Sequence, residues 1–173
     1  YEDAYLLFTQ AITILEKVLG ADDIRVAVAN QKPADLLNNQ GYYEEASILY
    51  NHSLGIAEKR LGPNNSGVAL IRLKLATTYD KQEQPEKAEP LYKQYLTYLE
   101  ESLGAKHQDV ATILNILAMN YNNQKRHDEA ETLLVRSLSI LKKELSSDDP
   151  ELMRTFNIYE HTLNQKNHVS GGN

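Results

Sequence analysis

The side chains best suited to chemistry in this sequence are hydroxyl and carboxamide groups along one face of a predicted helix. Thr112, Asn115, Met119 and Asn122 recur at helical spacing beside an apolar stripe that should pack inward. Each asparagine has both a donor and an acceptor, and can therefore pair with the N–H and C=O groups of an extended peptide. The face thus indicates recognition through hydrogen bonds. The alternative is that these amides are only the solvated face of a helix.

No arrangement of residues indicates catalysis or a metal site. The histidines occupy unrelated positions, and none forms an i, i+4 pair with a third ligand nearby: His52, His107, His127, His161 and His168. There is no glycine-rich phosphate loop and no Gly-x-Ser-x-Gly motif. The absence of cysteine excludes thiolate metal sites and thiol catalysis. We therefore predict a protein that is not an enzyme and uses neither cofactor nor metal.

Composition and charge narrow the classes of partner. Apolar residues make up 42% of the 173, which is enough for a folded core. The formal net charge of −6 arises from 24 acidic and 18 basic side chains that are mixed throughout, so nucleic acid is not an expected partner. No apolar run approaches the ~20 residues that cross a bilayer. We expect no membrane association and a cytoplasmic location, although the first residue falls at the start of a repeat, as in a piece of a longer protein.

A pattern that recurs every 42 residues organises the chain. Four copies open with related tetrapeptides, at residues 1–4 (YEDA), 43–46 (YEEA), 85–88 (PEKA) and 127–130 (HDEA). Leucine returns at 19, 61, 103 and 145, followed by Gly20, Gly62, Gly104 and Ser146. Self-similarity with a period of this size predicts a solenoid of stacked units.

The residue pattern of each repeat unit predicts one long and one short helix. The long helix should begin near Pro85 and end at Leu103, where Gly104 can adopt a left-handed cap. The short helix should follow an N-cap position held by Asp23, Asn65, His107 and Asp149, of which three are good caps. The predicted array covers 1–167: a leading long helix at about 1–20, helix pairs at about 23–62, 65–104 and 107–145, and a closing helix at about 149–166. Residues 168–173 should be a disordered tail.

The sequence resembles the tetratricopeptide repeat (TPR), through Ala88 with Tyr92 and Ala76 with Tyr79. The segments 103–111 (LGAKHQDVA) and 114–118 (LNILA) are similar to the 42-residue repeats of kinesin light chains. This resemblance implies an all-α fold, an α-solenoid of antiparallel helix pairs that forms a right-handed superhelix. It also implies a concave groove, lined by the short helices, that binds peptides.

The resemblance assigns the polar face of each short helix to this groove. The residues at the corresponding positions are Gln31, Lys32, Asp35, Asn38, Leu70, Leu73, Lys74, Thr77, Lys81, Thr112, Asn115, Met119, Asn122, Arg154, Asn157 and His161. Amides dominate, with a mild positive bias from the lysines and Arg154. Such a groove favours a peptide that carries carboxylates.

Two hypotheses for the function follow. The first is a protein–protein interaction module that binds a linear peptide of a partner, as in cargo or adaptor recognition by kinesin light chains. The alternative is a self-associating repeat segment, or a regulatory scaffold within a larger multidomain signalling protein. Self-association would use the terminal helices, because the leading helix has an apolar face without a short partner: Ala4, Leu7, Phe8, Ala11 and Leu15.

Overall fold

The protein is all-α, as its computed structural model shows. The structure describes residues 2–170, with the side chains of 6–143 and 145–167. Within these residues there are eight helices and no strand: α1 (Glu2–Leu19), α2 (Ile24–Asn39), α3 (Tyr43–Leu61), α4 (Ser66–Lys81), α5 (Pro85–Leu103), α6 (Gln108–Asn123), α7 (His127–Glu144) and α8 (Pro150–Ser170). The predicted all-α repeat fold is confirmed.

The helix ends agree with the capping signals in most places. Helix α5 begins at Pro85 and ends at Leu103, as predicted. Helix α8 differs, because it continues to Ser170 instead of ending near 166. Nothing before Gly171 stops a helix. Residues 168–170 are therefore helical rather than part of a disordered tail, and residues 171–173 lie outside the described part of the chain.

All four residues at the predicted N-cap position cap a helix. The side chains of Asp23, Asn65 and Asp149 each accept a hydrogen bond from the backbone N–H two residues later, at 2.8–2.9 Å. His107 does the same through Nδ1, which accepts from the N–H of Asp109 at 3.1 Å. An imidazole nitrogen without a proton can replace a carboxylate here, because the cap needs only an acceptor.

The turn from each short helix to the next long helix requires a left-handed residue. Gly41, Glu83 and Lys125 lie 42 residues apart, and their φ angles are 87°, 58° and 61°. Glycine adopts positive φ freely, whereas a side chain makes this conformation costly. The second and third copies of the repeat therefore carry backbone strain that the first avoids.

The chain divides into two compact units, Tyr1–Gln84 with α1–α4 and Pro85–Asn173 with α5–α8. In each unit, a short helix packs closely on the long helix that follows it. Ser53 Oγ of α3 donates to the carbonyl of Ala27 in α2 at 2.9 Å, and Ser137 of α7 repeats this contact with Ala111 of α6 at 3.0 Å. Alanine and serine at these positions let the two backbones approach.

A buried arginine in α4 is fully paired. Arg72 is only 6% exposed, although the equivalent Leu114 is apolar. Its Nη2 donates to Glu58 at 2.7 Å and its Nη1 to the carbonyl of Pro63 at 2.8 Å. These bonds offset the cost of removing the charge from water, so the residue supports the core of the first unit.

A second charged cluster joins α5 to the end of α6 and to the turn that follows it in the second unit. Glu89 of α5 accepts from Arg126 Nη1 at 2.6 Å, from Lys93 Nζ at 2.6 Å, and from Gln124 and the hydroxyl of Tyr121 at 3.2 Å. Partial burial acts to raise the pKa of Glu89, but these donors outweigh it and lower the pKa to about 2. The carboxylate is thus stabilised in its charged form.

Replacing Lys125 by glycine should stabilise the protein by up to about 1 kcal/mol, because glycine removes the strain of the left-handed conformation. Gly41→Ala should destabilise it by a similar amount at the equivalent turn. Chemical denaturation would measure both changes. A loss of stability in K125G would contradict this account of the turn.

Glu89→Gln should destabilise the protein by about 2 kcal/mol at pH 7, because the folded state holds the pKa of Glu89 below its unfolded value. The contribution of Glu89 is present above pH ~4.5 and is lost as the pH falls toward 2, so the difference between E89Q and the wild type should shrink over this range. Denaturant midpoints measured from pH 7 to pH 2 would test this. The exposed Glu101 offers a control, and E101Q should show no comparable loss at pH 7.

Candidate functional site

A groove runs between α6 and α8 of the second unit. It contains two adjoining open depressions of about 410 and 340 Å³, which share Met119, Arg154 and Ile158. The other lining residues are Thr112, Asn115, Ile116, Pro150 and Glu151 in the first depression, and Asn122, Asn123, Asn157 and His161 in the second. We call this surface the α6–α8 groove.

The α6–α8 groove is partly apolar. Ile116 and Met119 come from successive turns of α6, and Ile158 faces them from α8. Met119 is 46% exposed, so its flexible thioether side chain is accessible to a ligand. A methionine in such a position adapts to different apolar partners. The groove can therefore bury an apolar side chain.

Arg154 is the free cation of this groove. Its side chain is exposed and has no hydrogen-bond or ion-pair partner among the described residues. The nearby carboxylate of Glu151 is already occupied, since it accepts from Thr112 Oγ1 at 2.7 Å and from Gln108 Nε2. Arg154 is thus left to pair with an anion from outside, where its guanidinium can bind a carboxylate through two hydrogen bonds.

The groove asparagines form hydrogen bonds between the two short helices. Asn115 Nδ2 donates to Thr155 Oγ1 and Asn122 Nδ2 to Thr162 Oγ1, both at 2.7 Å. Both asparagines therefore tie α6 to α8, because the two helices approach closely enough for these side chains to meet. Asn115 is only 8% exposed, and its Oδ1 is buried without a partner among the described residues.

In the first unit, an ion pair closes the corresponding space between α2 and α4. Lys74 Nζ donates to both oxygens of Asp35, at 2.7 and 2.9 Å. The hydroxyl of Tyr50 donates to the same carboxylate at 2.5 Å. Burial, together with this bond to Asp35, raises the pKa of Tyr50 above its ordinary value. The charged groups of Asp35 and Lys74 are therefore paired with each other.

The other predicted residues of the first unit are divided between internal contacts and solvent. Asn38 Oδ1 accepts from Thr78 Oγ1 at 3.1 Å, and Thr77 Oγ1 donates to the carbonyl of Lys74 at 2.8 Å. The ammonium of Lys81 lies 5.3 Å from the centre of the Tyr43 ring. Lys32 and Leu70 are exposed, whereas Gln31 and Leu73 are half-buried.

The structure therefore brings together all seven residues predicted in the second unit, from Thr112 to His161, around one groove. The predicted set lacks five other residues that line the groove, which are Ile116, Asn123, Pro150, Glu151 and Ile158. Ile116 and Ile158 could have been predicted from helical spacing, because each lies one turn of its helix from a residue that was predicted for the groove.

No group of three or more histidine, aspartate or glutamate side chains in 6–143 and 145–167 is arranged to hold a metal ion. Among the helices described, none has both the length and the hydropathy needed to cross a bilayer.

Sequence models of a known protein family match two long segments of the chain. Two models, each described as a tetratricopeptide repeat, match residues 33–101 and 110–151, which together exceed half of the chain. No curated protein sequence matches the chain.

Several solved structures are similar in fold. The nearly identical TPR-like repeats of a candidate kinesin light chain from Podosopora anserina are 21% identical, with a TM-score of 0.83 over 96% of this chain and 79% of that one. BtubC (BKLC) from P. vanneervenii is 23% identical, with a TM-score of 0.78 over 96% of this chain and 66% of that one. The N-terminal domain of stress-induced protein-1 (STI-1) from C. elegans is 17% identical, with a TM-score of 0.57 over 79% and 96%. At these identities the likeness concerns the fold.

Proposed function

Because the chain belongs to the tetratricopeptide repeat family, whose members are generally protein–protein interaction modules, we propose that it binds a linear peptide of a partner protein in the α6–α8 groove. The observation that carries this proposal is the guanidinium of Arg154, which lies beside an apolar surface and has no partner among the described residues. A ligand that matches both features has an acidic residue close to an apolar one. The site acts by binding, and no catalytic step is assigned to it.

The energetics favour an acidic ligand over a basic one. Both carboxylate oxygens of Glu151 already accept hydrogen bonds from the neutral side chains of Thr112 and Gln108, whereas Arg154 has no such partner among the described residues, so the groove offers an anion more unused hydrogen-bonding capacity than it offers a cation. A carboxylate bound to Arg154 gains a charge-assisted hydrogen bond, of which about 1.5–3 kcal/mol remains after desolvation. The apolar side chain beside it adds the free energy of leaving water.

The biological setting that fits is an adaptor that recognises a cargo or a partner. The structural similarity to a candidate kinesin light chain supports this role, which would be exercised in the cytoplasm of the cell. A regulatory scaffold within a larger signalling protein would use the same groove. Both roles require peptide binding, so one experiment tests their common basis.

Arg154→Glu should weaken the binding of acidic peptides roughly 10- to 100-fold at low salt, because it replaces the attractive charge by a repulsive one. Peptides selected on the wild-type chain from a displayed random library would serve as ligands, and fluorescence anisotropy would measure their affinity. The selected peptides should be enriched in aspartate and glutamate. Lys74→Glu should have a smaller effect, because Lys74 is already paired with Asp35.

The matched control is Lys142→Glu, the same charge reversal at an exposed position of α7 outside the groove. Binding by K142E should stay within about twofold of the wild type, because screening limits the effect of a distant surface charge. If R154E and K142E weakened peptide binding equally, the effect of R154E would be explained by the change in net charge alone. Unchanged binding in R154E would remove the groove from the proposal.

A second candidate function, self-association, is favoured by the exposed apolar face of α1. Ile14 is 61% exposed, whereas the equivalent Ile56 of α3 is 4% exposed, in a cluster with Val26 and Ala27 of α2. Leu7 and Val18 extend this exposed face along α1. Of the residues predicted for it, Ala11 is exposed, Phe8 and Leu15 are half-buried, and the side chain of Ala4 lies outside the described residues. A short helix of a second copy could cover the face as α2 covers α3.

Ile14→Glu should weaken such self-association roughly tenfold or more, because it places a charge in the apolar contact. Sedimentation velocity over a range of protein concentrations would follow the association. Val135→Glu, the same change at another exposed apolar position, should leave it unaffected. A wild-type chain that stays monomeric at the highest concentration would exclude this candidate.

A further inference from the structure

The two units can be compared position by position, because equivalent residues lie 84 apart, which is two repeat lengths. An internal contact shows that the equivalence holds in space. Thr78 donates to Asn38 at 3.1 Å in the first unit, and Asn122 donates to Thr162 at 2.7 Å in the second. The same pair of positions thus joins the two short helices in both units. Where side chains at other equivalent positions differ, the difference therefore reflects the residue types and not a different backbone fold.

Three positions differ together. In the first unit they hold Asp35, Tyr50 and Lys74, which form one hydrogen-bonded group between α2, α3 and α4. We call this group the ion-pair plug. The Lys74 ammonium also lies 6.0 Å from the centre of the Tyr50 ring. Both charged groups of the plug have partners. The carboxylate of Asp35 accepts from Lys74 and from the Tyr50 hydroxyl, and the ammonium of Lys74 is paired with this carboxylate.

In the second unit the same positions hold Met119, Leu134 and Ile158. Met119 and Ile158 line both depressions of the α6–α8 groove, and Leu134 of α7 is fully buried. We call this group the apolar set. No member of the apolar set can form an ion pair, so the space that the plug bridges in the first unit remains available to a ligand in the second.

The difference has a direct consequence for binding. An apolar side chain that entered the first unit would have to separate the partly exposed pair of Lys74 and Asp35 and take away the carboxylate that accepts from the buried Tyr50 hydroxyl, which is unfavourable because a buried donor would lose its partner. The same side chain in the second unit would gain the free energy of apolar burial. The flanking position adds to this contrast, because Leu70 in the first unit is replaced by Arg154 in the second.

We propose that these three positions decide which unit accepts a ligand: the apolar set admits the apolar side chain of a peptide into the second unit, and the ion-pair plug excludes it from the first. This inference rests on the proposed peptide-binding function and deepens it. It assigns Met119 and Ile158 as the residues that determine specificity. It also predicts that one chain binds one such peptide.

The sequence provides two natural reporters for a test, since the chain contains only two methionines, Met119 and Met153. Met119 lines the groove, whereas Met153 does not. With methyl-13C-methionine, NMR would follow each methyl group during titration with the capped tripeptide acetyl-Glu-Leu-Glu-amide. The Met119 signal should shift and the Met153 signal should not. The capped Glu-Ser-Glu tripeptide, which lacks the apolar side chain, should bind roughly tenfold more weakly.

The decisive variant moves the apolar set and its arginine into the first unit, as D35M/Y50L/L70R/K74I. The methyl group introduced by D35M then reports on the first unit. It should shift with the leucine tripeptide, so that the chain gains a second site while Met119 still responds. A helix content equal to that of the wild type, measured by circular dichroism, would show that the first unit of the variant is folded, and the Met119 signal of the variant without peptide would show the same for the second unit. A folded variant whose introduced methyl group does not respond would overturn the inference.

A single substitution keeps the inference testable if the combined variant does not fold. Ile158→Lys places a lysine where the plug has Lys74, and it retains Met119 as the reporter. The I158K variant should lose most of the tenfold preference for the leucine tripeptide over the serine tripeptide. Both tripeptides carry the same two glutamates, so an added attraction between lysine and carboxylates does not affect this ratio. An unchanged preference in I158K would overturn the inference. A wild-type Met119 signal that responds to neither tripeptide would instead count against the proposed function itself.

Discussion

The close approach of each short helix to the long helix that follows it is the contact on which the rest of the structure depends. Ala27 and Ala111 are almost completely buried, and each offers its carbonyl to a serine of the next helix, Ser53 or Ser137. A helix pair of this size cannot bury its apolar face alone, so stacking is what gives it a core. Because the side chains at the contact are small, the backbones set the spacing of the helices, and that spacing decides which side chains on the exposed faces can meet.

The same spacing supports two different surfaces. Between α2 and α4, an aspartate and a lysine meet and neutralise each other with the help of a buried tyrosine hydroxyl. Between α6 and α8, Met119 and Ile158 take the places of the aspartate and the lysine and line a groove with an arginine at its side, while Leu134 of α7 takes the place of the tyrosine. In the proposed binding mode, these few positions determine which unit accepts a ligand, without any change in the fold.

The candidate site was partly predictable. The 3.6-residue period placed Thr112, Asn115, Met119 and Asn122 on one face of α6, and the structure finds all four around the groove. Their roles were not predictable in the same way. Asn115 and Asn122 donate hydrogen bonds to Thr155 and Thr162 of the next short helix, which the sequence did not predict. A single helix pattern says which face a side chain occupies, not what faces it from another helix.

The sequence by itself determined the helices, their period and most of their ends, because capping residues, glycine turns and apolar spacing act within a few residues of the chain. It did not reveal the left-handed residues Glu83 and Lys125, which have side chains that normally avoid this conformation. Only the tertiary structure decided that Lys74 is paired with Asp35, while Arg154 has no partner among the residues that the structure describes. Asp35 lies 39 residues before Lys74 in the sequence, and the distance between their side chains depends on how whole helices pack. That packing is a property of the assembled units rather than of any one segment.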